Sequence, residues 1–68
     1  MIITITTQSE PLQATSLPDA RLMLAHRGLE ATGVRIEAPH VGYKMDYEDY
    51  QLAVFNRDVK KLKRGLGL

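Results

Sequence analysis

The chain has 68 residues and a formal net charge of +1, with nine Lys+Arg against eight Asp+Glu. A hydrophobic content of 44% with so low a net charge is typical of a globular chain rather than a disordered one. The absence of cysteine excludes a disulfide scaffold, a zinc ribbon and a thiol nucleophile. No apolar run is longer than residues 22–25, far short of the roughly 20 residues of a membrane span, and no signal peptide is visible. We therefore expect one cytoplasmic domain over residues 1–68, away from membranes.

The first part of the chain predicts a β-hairpin. Residues 1–7 are rich in β-branched side chains, with Ile3 and Ile5 on one face and threonines on the other, as in a half-buried strand. Residues 8–11 form a turn signal that ends in proline, and residues 12–15 alternate weakly after it. We therefore expect a second strand that pairs with the first.

The next segment predicts a helix that begins at Ser16. A serine side chain accepts hydrogen bonds from first-turn amides, and Pro18 and Asp19 both suit the start of a helix. We expect this helix to run to about Thr32, with Gly33 as the left-handed stop. Its broad apolar arc indicates burial against a sheet.

The remaining sequence predicts further strands and a second helix. Residues 34–38 alternate as a strand, and residues 41–45 alternate again, so a second hairpin through Pro39 and His40 is possible. From about Asp46 onward, an apolar stripe with helical spacing follows: Leu52, Phe55, Val59, Leu62 and Leu66. We predict an α+β fold: a small antiparallel sheet of three to four strands packed by two helices, in the order β(β)αβ(β)α, with a C-terminal amphipathic helix.

Charge is strongly polarised along the final helix. Three acids lie near its start, Asp46, Glu48 and Asp49, while a basic cluster lies near its end: Arg57, Lys60, Lys61, Lys63 and Arg64. This distribution suits the helix dipole, so the basic cluster has one interpretation as a solvated, stabilising face. Because it contains like-charge pairs four residues apart, a second interpretation is a binding surface for phosphates or an acidic protein.

The three tyrosines, Tyr43, Tyr47 and Tyr50, lie within eight positions of one another. Helical spacing places Tyr47, Tyr50 and Val54 on a flank beside Lys61, away from the apolar stripe. Tyrosines beside bases suit protein interfaces and can stack on single-stranded bases, but packing at a sheet edge is the alternative.

The sequence carries no pattern that indicates catalysis. His26 and His40 lack the spacing of a metal-ligand set. No Gly-x-Ser-x-Gly turn and no glycine-rich phosphate loop are present. We expect a non-enzyme with no catalytic residue, no metal and no cofactor.

Two segments, residues 12–21 (LQATSLPDAR) and 33–37 (GVRIE), resemble the strand, capped helix and strand of small phage-encoded anti-CRISPR inhibitors. The resemblance covers less than half of the chain and does not include the basic cluster. It implies a non-catalytic protein that docks on a CRISPR surveillance complex and obstructs nucleic-acid access. It assigns no individual binding residue.

Together these observations predict a small regulatory inhibitor that binds a larger protein or nucleoprotein complex, with weak nucleic-acid contact through the basic helix. One alternative is direct nucleic-acid binding. Another is a homo-oligomeric assembly or virion protein, in which the apolar stripe packs against a second copy. The expected binding residues are Tyr43, Tyr47, Tyr50, Arg57, Lys60, Lys61, Lys63 and Arg64.

Overall fold

The computed structural model describes residues 1–68, which form a four-stranded antiparallel sheet and two helices. This architecture and its element order confirm the predicted α+β class. The elements are β1 (Ile2–Thr6), β2 (Leu12–Ala14), α1 (Leu17–Arg27), β3 (Gly33–Ala38), a short 3₁₀ turn (Pro39–Val41), β4 (Tyr43–Asp46) and α2 (Asp49–Gly65).

The strands lie in the order β2-β1-β3-β4, so β1 and β3 are central and β2 and β4 are edges. Ile3 of β1 is opposite Ala14 of β2 on one side and Ile36 of β3 on the other. Since side chains alternate between faces, this register collects the apolar side chains on the face that the helices cover. Ile3 and Ile5 are completely buried there.

The core is continuous between the helix-covered face of the sheet and the two helices. Its largest fully buried side chains are Ile3, Ile5 and Leu24. The residues that make up the core are Ile3, Ile5, Leu12, Ala14, Ala20, Leu24, Ala25, Ala31, Val34, Ile36, Phe55 and Val59.

Helix α1 ends five residues earlier than predicted. Ser16 caps its start as expected, accepting from the Asp19 amide at 3.3 Å. The left-handed stop is Gly28 (φ 66°) rather than Gly33, which lies in β3. The amide of Leu29 donates to the Leu24 carbonyl, which completes a Schellman end. The prediction was wrong because Leu29 and Ala31 extend the apolar pattern beyond the cap.

The second hairpin, left open by the sequence, is present. β3 and β4 pair from Arg35 opposite Asp46 to Ala38 opposite Tyr43. Asp46 therefore belongs to a strand, and α2 begins only at Asp49, with Glu48 as its cap. The acids at the start of the helix are Glu48 and Asp49 alone, because the alternation of β4 extends through Asp46.

The apolar stripe packs α2 onto the rest of the chain. Phe55 and Val59 are buried, and Leu52 and Leu62 are half-buried against the core. Leu66 follows the helix and is 47% exposed. From Leu52 to Leu62 the stripe is therefore occupied within the chain, which removes most of the surface that a stripe-to-stripe oligomer needs.

Candidate binding surface on helix α2

A line of exposed side chains runs along α2 on the side away from its buried stripe. These residues follow steps of four and three, which keeps them within a narrow arc at 100° per residue. The N-terminal part is apolar, with Tyr50 67% and Val54 43% exposed, and the C-terminal part is basic. We call this line the exposed ridge: Tyr50, Val54, Arg57, Lys61 and Arg64.

A shallow groove of about 200 Å³ lies beside the apolar part of the ridge, between α1 and α2. Its position follows from the packing of Phe55 into the core, which leaves the flanking residues of α2 facing α1. We call it the tyrosine groove, and it is lined by Arg21, Tyr47, Tyr50, Gln51, Val54, Phe55 and Asp58.

Arg21 contributes the positively charged group of the tyrosine groove. Its Nε is buried and has no hydrogen-bond partner within the protein. Asp58 lines the same groove, yet no ion pair within 4.0 Å joins it to Arg21. A guanidinium carries further N–H donors besides Nε, and these can bond an acceptor placed in the groove.

The structure divides the basic cluster into two groups. Lys60 pairs with Glu30 at 3.3 Å, and Lys63 is half-buried with its Nζ beside Gly28. The five bases therefore do not lie together on one exposed face.

The other three bases remain on the exposed ridge. Arg57 has one weak partner, Asp58, at 3.9 Å. Lys61 and Arg64 are exposed and have no acidic partner in the protein. These two charges are the ones available to an external acidic group.

The three tyrosines also separate. Tyr47 is half-buried and packs edge-on against Phe55, with ring centroids 6.1 Å apart. Tyr50, on α2, is exposed and lines the tyrosine groove. Tyr43 lies on β4, where its hydroxyl donates to Sδ of Met45 at 3.0 Å, and it does not line the groove. Only Tyr47 and Tyr50 thus form one surface.

The displaced pKa values occur elsewhere, on the sheet face that no helix covers. Arg35 donates to Asp46 through Nε at 2.8 Å and through a second guanidinium nitrogen at 3.3 Å. This hydrogen bonding lowers the pKa of Asp46 and raises that of Arg35. Both side chains are more than half exposed, so the pair is a structural contact between β3 and β4.

Sequence reasoning missed Arg21, although a signal was present. At 100° per residue, Arg21 falls between Leu24 and Ala25 on the apolar side of α1. A charged residue inside an apolar arc marks a guanidinium that packs its stem while its head needs a partner.

Three observations bear on the kind of protein this is. Comparison with protein-family models, curated proteins and solved structures finds no match. Neither helix has the length and apolar character needed to cross a bilayer. No group of three or more His, Asp or Glu side chains lies close enough together to hold a metal ion.

Proposed function

We propose that this protein is a non-catalytic binding protein that docks through α2 on a larger protein or nucleoprotein complex. The observation that carries the proposal is the exposed ridge, in which two apolar side chains and three bases share one side of the helix. Tyrosine and arginine are the residue types most enriched at interface centres. The partner surface that fits is an apolar patch flanked by carboxylates or phosphates.

The tyrosine groove extends this surface and gives it a centre. Tyr50 and Val54 border both the ridge and the groove, so one partner segment can cover both. Arg21 lines the groove beside them and brings a positive charge to that segment. A guanidinium at the wall of a groove contributes more to binding than the fully exposed bases, because exposed ion pairs are worth little.

The resemblance to anti-CRISPR inhibitors supplies one specific partner for the test. Under that interpretation, the ridge occupies a surface that a CRISPR surveillance complex uses for nucleic acid, and docking obstructs nucleic-acid access. Carboxylates on such a complex, or the phosphates of its bound RNA, are both acceptors for Lys61 and Arg64.

Affinity purification tests the proposal directly. The full chain is immobilised and exposed to nuclease-treated lysates of the organism that encodes it and of that organism's host. In a separate experiment it is exposed to a purified CRISPR surveillance complex. We expect a stoichiometric protein partner that survives nuclease treatment. The triple variant Arg57→Glu, Lys61→Glu, Arg64→Glu reverses the ridge charge and is expected to lose that partner.

A matched control separates the ridge from general charge. Arg27→Glu changes the sign of an exposed base on α1 and is expected to retain the partner. Equal retention by the wild type and the triple variant would show that the ridge is only a solvated face. Loss of all binding on nuclease treatment would instead favour direct nucleic-acid binding, for which a steep decline of affinity with salt is the second criterion.

A further inference from the structure

The edge strand β4 carries an open row of backbone hydrogen-bonding groups. It pairs with β3 on one side and has no neighbour on the other. The Tyr47 amide donates to the Val34 carbonyl at 2.9 Å, which fixes the alternation of the ladder. In an antiparallel pair, Tyr43 and Met45 then direct their backbone groups toward β3. The amides and carbonyls of Lys44 and Asp46 point outward.

The residue types around this edge are arranged symmetrically about Met45, with a charged residue on each side and a tyrosine beyond it: Tyr43-Lys44-Met45-Asp46-Tyr47. The two charged residues have opposite signs. When a second copy of β4 lies antiparallel with Met45 opposite Met45, Lys44 of each copy is opposite Asp46 of the other. These are the two residues whose backbone groups point outward, so the hydrogen bonds match. The same register places opposite charges face to face.

Neighbouring two-fold registers lack this match. A pairing centred on Lys44 brings two lysines together, and one centred on Asp46 brings two aspartates together, both of which are destabilising. If the second copy is shifted by one residue, the outward backbone groups of one strand lie opposite residues of the other strand whose backbone groups already bond to β3. The edge therefore has one favoured register with a copy of itself.

Charges on β3 continue the pattern across the uncovered sheet face. Glu37 is opposite Lys44, and Arg35 is opposite Asp46, to which it is bonded at 2.8 Å. When the two β4 edges pair, one row of side chains crosses the junction between the copies. Its members, in order, are Glu37 and Lys44 of one copy, then Asp46 and Arg35 of the second copy. Signs alternate at every step, so each charge has an opposite neighbour.

On the other face, the paired edges bring exposed apolar side chains together. Tyr43 is 48% exposed and Met45 is half-buried, and both lie at the open edge of the sheet. Across the seam Met45 meets Met45, and Tyr43 meets Tyr47 of the second copy. Edge strands usually carry features that prevent pairing, such as lysines without a matching acid. Here the matching acid lies two residues away.

We propose that two copies of this protein associate through β4, antiparallel and centred on Met45, which joins two four-stranded sheets into one continuous sheet. The proposal does not depend on the partner that α2 binds. It rests on the outward backbone groups of Lys44 and Asp46, their opposite charges and the two-fold register they share. The seam is short, so the association is concentration-dependent.

Sedimentation equilibrium of the full chain over a wide concentration range tests the proposal. We expect the wild type to shift from monomer to dimer mass, and Lys44→Asp and Asp46→Lys each to stay monomeric. Mixing these two variants restores opposite charges at both contacts, so we expect a one-to-one heterodimer. Lys44→Pro removes an outward N–H that β3 does not use, and we expect it to weaken self-association while it remains folded.

Lys61→Asp is the matched control, because it makes the same charge change on the exposed ridge of α2. We expect it to dimerise like the wild type and to bind the partner of the proposed function more weakly. Lys44→Asp is expected to stay monomeric and to bind that partner as the wild type does. A wild type that stays monomeric at the highest soluble concentration would overturn the proposal. So would a dimer that persists in Lys44→Asp and Lys44→Pro, or variants that fail to associate when mixed although their NMR spectra show folded protein.

Discussion

The side chain of Asn56 binds both backbone groups of Ala31. Its Oδ1 accepts from the Ala31 amide at 2.9 Å, and its Nδ2 donates to the Ala31 carbonyl at 3.0 Å. Ala31 is only 5% exposed and lies between α1 and β3, where no strand or helix pairs its backbone. Asn56 thus substitutes for secondary structure at this point and fixes α2 to the connection.

Replacing Asn56 with leucine is expected to destabilise the fold. The substitution keeps the side-chain size but leaves two buried backbone groups unpaired, each costing roughly 1–3 kcal/mol. We expect a loss of about 2 kcal/mol or more in the free energy of unfolding, measured by urea denaturation. Arg57→Leu, on the adjacent exposed position, serves as control and is expected to change stability by less than about 0.5 kcal/mol. Equal midpoints for both variants would contradict a structural role for the Asn56 bonds.

Two glycines are expected to respond oppositely to alanine. Gly28 has φ 66°, and a Cβ there would meet only the Lys63 Nζ at 3.8 Å, so the cost is conformational. Gly28→Ala should destabilise by about 1 kcal/mol. Gly65 lies in the last turn of α2 with open space around it, and Gly65→Ala should stabilise by up to about 1 kcal/mol. Thermal unfolding followed by circular dichroism measures both, and shifts of the same sign would argue against the left-handed cap.

The edge-on contact of Tyr47 with Phe55 is expected to contribute more than buried area alone. A double-mutant cycle with Tyr47→Leu and Phe55→Leu should give a coupling energy of about 0.5–1.5 kcal/mol. Urea denaturation of the four proteins supplies the cycle. Additive effects would show that the two rings contribute independently, despite their interplanar angle of 81°.

The Arg35–Asp46 pair predicts a specific response to acid. Its hydrogen bond lowers the pKa of Asp46 in the folded state, so the folded protein binds that proton less readily than the unfolded chain. The pair therefore stabilises the fold at pH values above the pKa that Asp46 has in the unfolded chain. This stabilisation is lost as the pH falls through the lower pKa that Asp46 has in the folded protein. In Arg35→Gln we expect the Asp46 pKa to rise toward its ordinary range, followed by NMR of the side-chain carboxyl carbon. Glu37→Gln leaves the hydrogen bond between Arg35 and Asp46 intact and should shift the pKa of Asp46 much less.

The structure also shows why sequence reasoning succeeded in some places and failed in others. Periodicity identified α2, because Phe55 and Val59 are buried at the spacing that a helix requires. The end of α1 was misplaced because Gly28 and Gly33 both suit a helix stop, and only the backbone conformation distinguishes them.

Contacts between distant residues were beyond the reach of local patterns. Asn56 and Ala31 are 25 residues apart, and no sequence motif at either position predicts that they contact each other. The tyrosine groove depends on the angle at which α1 meets α2, which brings Arg21 beside Tyr50. The symmetry about Met45 is legible in the sequence, but its meaning requires knowing that β4 is an edge.

The central position of β1 has a consequence for synthesis on the ribosome. β1 is made before both of its neighbours, and its second partner, β3, is complete only at Ala38. Until then, a strand that contains Ile3 and Ile5 has at most the three-residue β2 beside it. Long-range strand pairing of this kind is slow and leaves apolar edges open to aggregation. The nascent chain is thus most prone to aggregate before β3 has paired with β1.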